Sequence, residues 1–345
     1  MKAQLKIAIA ATLLLSLPGC RKELCYDHDK HSLACRLQLT PEWEREWERD
    51  YGSGWLTAWD APRFGKEYDD MRPGVAGGLA VYVYDDIDSE HPSVSNEFHI
   101  APEGEMVRVT EGDHRLLIFN DDTHNIIIDD MASLPTARAT TRARSRSSYA
   151  QYHSDEETVG APDMLYGHYE PRVRTELSTT VTPYAFTMRP LVYTYLVRYE
   201  VVEGLEYIAA ARGGMAGMAR HVYLTDGHTG DDPATVLYDC IVTSYGVEAT
   251  VLSFGVPGFP DRYYDRSGWR VPDDNVHYTL NLELLLTTAQ SFTLDFDITE
   301  QVKNQPRGGV ITVSGIRIGG GKPSGDGAFD VNVTEWGPYV DIPLN

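Results

Sequence analysis

The chain has 345 residues, a formal net charge of −21 and a hydrophobic content of 42%. The length leaves room for two domains of ordinary size, and the apolar fraction is too high for a chain disordered by composition. So acidic a surface repels nucleic-acid phosphates and anionic lipid headgroups, which excludes nucleic acid as an expected partner.

Met1, Lys2 and Lys6 give a positive start, and an apolar run from Ile7 to Leu17 follows, closed by Leu17-Pro18-Gly19-Cys20. This pattern predicts a signal peptide over residues 1–19, because the run is shorter than the roughly 20 residues a membrane span needs. A cysteine directly after the small residue predicts a lipoprotein. Its thiol can take a diacylglyceride and its freed amine an acyl chain such as palmitate. Each buried CH₂ contributes about 0.8 kcal/mol, so several chains hold where one does not. Cys20 is therefore the expected lipidation site. Removing residues 1–19, which carry two lysines and no acid, takes the net charge from −21 to −23. No second apolar run is long enough to cross a membrane, so lipid is the only anchor expected.

The other cysteines are Cys25, Cys35 and Cys240. Cys25 and Cys35 could close a small loop in an oxidising compartment. Cys240 stands in the apolar run 235–242 and reads as a buried, inert thiol.

Residues 20–60 read as a lipidated tether and a tryptophan-rich segment. Trp43, Trp47 and Tyr51 are four apart, and Trp55 and Trp59 continue the spacing. A short amphipathic helix would put the first three on one face. The rings either dock on the first domain's own sheet, the simpler reading, or make Trp43, Trp47, Trp55 and Trp59 a partner-facing patch.

Residues 61–135 read as an N-terminal β-sandwich domain. Short β-branched and aromatic runs, 79–84, 114–119 and 125–128, end at Asp/Asn turns. Residues 136–165 read as a linker or long loop. Its Thr, Ala and Ser content is punctuated by Arg138, Arg142, Arg144 and Arg146, a solvated basic island or, alternatively, a protease-accessible one. Residues 166–345 read as a C-terminal β-sandwich domain, with strands expected over 191–201, 221–225, 234–242, 248–254, 277–286, 291–299, 310–318 and 329–336. The alternation in 291–299 predicts one buried and one wet face, and 287–290 a hairpin turn. The run 339–344 is a further strand, paired or free to pair. Gly204–Arg220 holds too many glycines for a helix and reads as a crossover.

Chemistry-bearing motifs are missing. There is no G-x-S-x-G elbow, H-E-x-x-H or P-loop, and no C-x₂-C pair. The cluster Asp27-His28-Asp29-Lys30-His31 reads as solvated tether. Acidic pairs at 69–70, 85–86, 121–122, 129–130, 231–232 and 273–274 punctuate turns without EF-hand spacing. No catalytic residue, cofactor or metal is expected, and the chain reads as a non-enzyme.

The stretch from Cys20-Arg21-Lys22-Glu23-Leu24-Cys25 through Trp43-Glu44-Arg45-Glu46-Trp47 resembles the start of a lipoprotein family of Gram-negative anaerobes. Segments 79–86, 117–122, 214–219 and 329–336 extend the likeness over nearly the whole mature chain. In layout these lipoproteins are similar to the fimbrillin superfamily, in particular the anchor lipoproteins of type V pili. The resemblance implies an all-β chain of two tandem transthyretin-like sandwiches, anchored to the cell outer membrane and displayed at the surface. It also implies assembly with fimbrillin-like pilus subunits by β-strand addition, in which a donor strand pairs with a free sheet edge. The competing expectation is a stand-alone surface lipoprotein that binds glycan or another extracellular ligand, with its tryptophans and tyrosines as stacking platforms.

Overall fold

A computed structural model describes residues 33–49, 55–85, 87–89, 92–131, 133–144, 153–259 and 276–319, and the backbone of 331–333. Cys20, Cys25, the 27–31 cluster, Tyr51, Arg146 and the run 339–344 lie outside the described residues.

Strands dominate. In chain order they are β1 (Cys35–Trp43), β2 (Leu79–Tyr84), β3 (Val94–Ile100), β4 (Met106–Val109), β5 (Gly112–Asn120), β6 (Ile126–Asp129), β7 (Arg138–Thr141), β8 (Glu157–Gly160), β9 (Tyr166–Thr175) and β10 (Thr182–Pro190). There follow β11 (Tyr193–Glu203), β12 (Ile208–Ala219), β13 (His221–Tyr223), β14 (Pro233–Asp239), β15 (Ile241–Val242), β16 (Gly246–Ser253), β17 (Thr279–Leu286), β18 (Ser291–Asp297), β19 (Gly309–Ile318) and β20 (Val331–Val333).

The first sandwich is one seven-stranded sheet, ordered β3-β2-β5-β9-β10-β1-β4, bent on itself. β9 and β10 pair only at Arg189↔Gly167 and Pro190↔Tyr166. Away from that corner they splay, so β10-β1-β4 lies over β3-β2-β5-β9. Leu37, Leu39, Val81, Val83, Leu116, Ile118, Val173, Phe186 and Met188 fill the space between. The opposite face of β2 and β5, with Ala80, Tyr84, Leu117 and Phe119, is covered by a three-stranded sheet, β13-β7-β6. Burial on both faces is why β2 reads as an unbroken apolar run instead of alternating.

The second sandwich faces sheet β15-β16-β11-β19-β20 with sheet β18-β17-β12-β14-β8. Tyr195, Val197, Tyr199, Val251, Ile311 and Val313 meet Met215, Val236, Leu280, Leu282, Leu284 and Phe296 in its core. β17 alternates as its sequence demands, with the even-numbered leucines inward and Glu283 and Leu285 outward. β17 and β18 pair antiparallel around the expected turn, from Thr279↔Asp297 to Leu285↔Ser291.

The structure moves three boundaries. Residues 136–165 are not a plain linker: β7 and β8 lie within them, and β7 buries Ala139 and Thr141. Ala139 packs there into the same core as Ala80, Leu117 and Phe119 of β2 and β5. β9 and β10 fall in the expected second domain yet complete the first sheet. Gly204–Arg220 is largely β12, which pairs with both β14 and β17. Its glycines are a packing device, since a Cβ at Gly213 would stand 2.2 Å from the Tyr238 ring.

Candidate interface at the N-terminal strand and aromatic strap

β1 forms from a short period-2 pattern, with Cys35, Leu37 and Leu39 all buried. It lies inside the sheet. On one side it runs parallel to β10 over seven pairs, from Leu37↔Thr182 to Trp43↔Met188. On the other it is antiparallel to β4, from Cys35↔Val109 to Gln38↔Met106. Leu39 N–H extends the β4 side by donating to Glu105 C=O at 2.9 Å. Gly104 sits at φ +94°, and a Cβ there would meet Leu39 C=O at 2.0 Å, so the turn before β4 needs glycine to approach β1. Cys35 is a buried free thiol.

Trp43 closes the strand. Its indole N–H donates to Pro102 C=O at 3.2 Å, and its ring meets Tyr166 edge-on, with centroids 4.9 Å apart. Burial pushes the Tyr166 phenol up to about 12.

Beyond Trp43 the expected amphipathic helix does not form. Residues 44–49 are non-helical, and the helical turns come later, at Trp55–Ala58 and Ala61–Phe64. The second turn starts at Asp60, whose carboxylate accepts Arg63 N–H at 3.1 Å, and it ends at left-handed Gly65. This strap carries Trp47, Trp55, Phe64, Tyr68 and Met71, all buried, onto Leu196 and Val310 of β11 and β19. The rings interlock, Trp59 on Phe64 at 4.5 Å and edge-on to Trp47 at 5.4 Å. The aromatic segment therefore docks on a sheet of its own chain, but on the second sandwich's outer face and not the first domain's sheet.

Polar groups lock the strap. The Arg198 guanidinium, 2% exposed, lies over the Tyr245 ring at 4.4 Å and the Phe64 ring at 5.3 Å. It donates to Arg63 C=O at 2.6 Å. Lys66 pairs with Glu248 at 2.5 Å, and Arg49 N–H donates to Arg307 C=O at 3.1 Å. The Tyr68 hydroxyl is 2.6 Å from Glu46 and 2.5 Å from Glu48. Burial first, and then these two carboxylates, hold its phenol far above the usual range.

Of the four candidate contact residues, Trp47 and Trp55 are thus inside the molecule, while Trp43 and Trp59 are half-buried and keep partly accessible edges. Sequence reading missed β1 itself, although the Cys35-Leu37-Leu39 alternation signals it. It also missed Phe64, Tyr68, Arg198 and Tyr166, which no spacing links to the tryptophans. Among the described residues no group of three or more His, Cys, Asp or Glu side chains is placed to hold a metal ion. No described helix is long and apolar enough to cross a membrane.

This architecture has counterparts. A candidate adhesin from Bacteroides ovatus superposes with a TM-score of 0.53 at 17% identity, covering 81% of this chain and 93% of its own. The fold is all β and is shared with that protein. Lower-scoring matches include the fimbrial anchor protein Mfa2 from Porphyromonas gingivalis, with TM-score 0.43, 10% identity and coverage of 86% and 95% of the two chains. Another is a candidate polysaccharide-binding protein from Bacteroides thetaiotaomicron, with TM-score 0.44, 9% identity and coverage of 82% and 90%. In sequence, residues 70–239 match the model of a family described as a domain of unknown function, DUF5119. No curated protein matches the chain.

Proposed function

We propose that this chain is a fimbrillin-like cell-surface lipoprotein, tethered to the outer membrane through lipid on Cys20, that anchors or assembles a fimbrium. The observation that carries the reading is the position of β1. The strand that would follow the tether is paired on both sides within the first sandwich, so the chain keeps its own N-terminal strand. A chain built this way is suited to stay at the base of an assembly. The fold it shares with a candidate adhesin supports a role at the cell surface.

Partner subunits would add through a sheet edge, where backbone N–H and C=O groups pair with a donor strand. β18 lies at one such edge, with Thr293, Asp295 and Asp297 exposed along it. The charges of Asp295 and Asp297 are the kind of device by which an edge strand avoids indiscriminate pairing.

The test is co-purification of the lipidated protein from its native envelope, with mass spectrometry of what accompanies it and a Cys20→Ala control. Recovery of fimbrillin-like subunits with the wild type, and loss of palmitate labelling in Cys20→Ala, supports the reading. Recovery of the protein alone, folded and membrane-bound, sinks it.

A further inference from the structure

We propose that β1 is a load-bearing strand, set in longitudinal shear between the membrane tether and the second sandwich. The source of the load rests on the anchor reading above; the geometry rests on strand register alone.

The two ends of the load path lie at opposite poles. Ala34, just before β1, is bridged to Ser178 in the turn between β9 and β10, by hydrogen bonds of 3.2 and 3.3 Å. The other end of β10, Pro190, leads within three residues into β11 of the second sandwich. The tether thus leaves the first sandwich at the pole away from the second. The far pole of the second sandwich is marked by Gly204, which lies against Ile318 C=O, and by the 287–290 turn, where Thr287 N–H donates to Tyr207 C=O at 2.8 Å.

Tension between these poles acts along β1. Its ladder bonds to β4 run across the strand, and those to β10 are evenly spaced and slanted. A pull along the strand strains them all at once, so none fails until many are displaced together. Hydrogen bonds weaken steeply once misaligned, which makes that joint displacement the barrier. A pull across the strand would open the same bonds singly. The C-terminal end of β1 is also held. Glu44 N–H donates to Met188 C=O at 3.0 Å, and Trp47, 2% exposed, is set against the second sandwich. Load arriving at Ala34 is passed by β1 and the strap to β11 and β19, which pair with each other inside their sheet.

Single-molecule pulling on the chain from residue 20 tests this, with handles joined through short ligation tags. One geometry uses the N-terminus and the exposed turn at Thr288. The other uses the N-terminus and the exposed loop at Glu111, beside the start of β1 because Cys35 pairs with Val109. The first shears β1 and the second unzips it. At equal loading rate the shear geometry is expected to need a several-fold higher force for its first rupture. Equal forces in the two geometries overturn the proposal, whatever the co-purification experiment shows.

Discussion

Trp47 touches three other aromatic rings and is 2% exposed, so truncation removes a large apolar body from a space its neighbours cannot refill. Trp47→Ala is expected to lower stability by roughly 3–5 kcal/mol, and half-buried Trp59→Ala by clearly less. Guanidinium unfolding of both variants beside the wild type checks this; similar midpoint shifts for the two would contradict the buried placement. His168 makes a second residue-scale prediction. Its ring packs against Phe186 at 5.0 Å, and burial holds its pKa down to about 4. The unfolded chain, with an ordinary histidine near 6.5, binds a proton that the native state refuses between these values. Stability from this site is complete above about pH 6.5 and falls by roughly 3 kcal/mol as pH drops to about 4. A His168→Phe variant should show a flatter pH dependence over that window, read from denaturant midpoints at each pH.

At the scale of elements, β1 depends on the turn that delivers β4 to it. Gly104→Ala puts a side chain at φ +94° and against Leu39 C=O, so it is expected to destabilise by about 1–3 kcal/mol from backbone strain alone. Hydrogen exchange should show the loss of protection concentrated in β1 and β4; protection unchanged there would refute the coupling of turn to strand. The elements also show what was legible in the sequence. β2 was readable to the residue because 79–84 is β-branched and aromatic throughout, and β17–β18 because their alternation and turn agree. β7 and β12 were not readable, because each forms from small residues whose fit depends on a ring or sheet brought against them from elsewhere in the chain.

For the molecule as a whole, the strap matters because it belongs to both sandwiches. Residues 44–49 leave β1 of the first, residues 47 and 55–71 cover β11 and β19 of the second, and the chain returns to β2 of the first. Two sandwiches sharing such a segment should unfold together. A single calorimetric transition is expected for the wild type, and two separated transitions for a Trp47→Ala, Trp55→Ala double variant that loosens the strap without touching either core. Two transitions already in the wild type would mean that the strap does not couple the halves.

The sequence alone determined that the chain is all β, since strand periodicity and turn residues are local properties that need no partner to be read. It also determined the expectation of a lipid on Cys20, because a signal is recognised as a linear pattern. Only the tertiary structure decided where the tryptophans go. Four-residue spacing says that rings can share a helical face, but the area they bury depends on which distant surface is apolar and uncovered. Here that surface is the outer side of β11 and β19, some 150 residues or more along the chain from Trp47. The same holds for β1, whose burial requires β4 and β10 on either side, strands that are remote in sequence and adjacent only after folding.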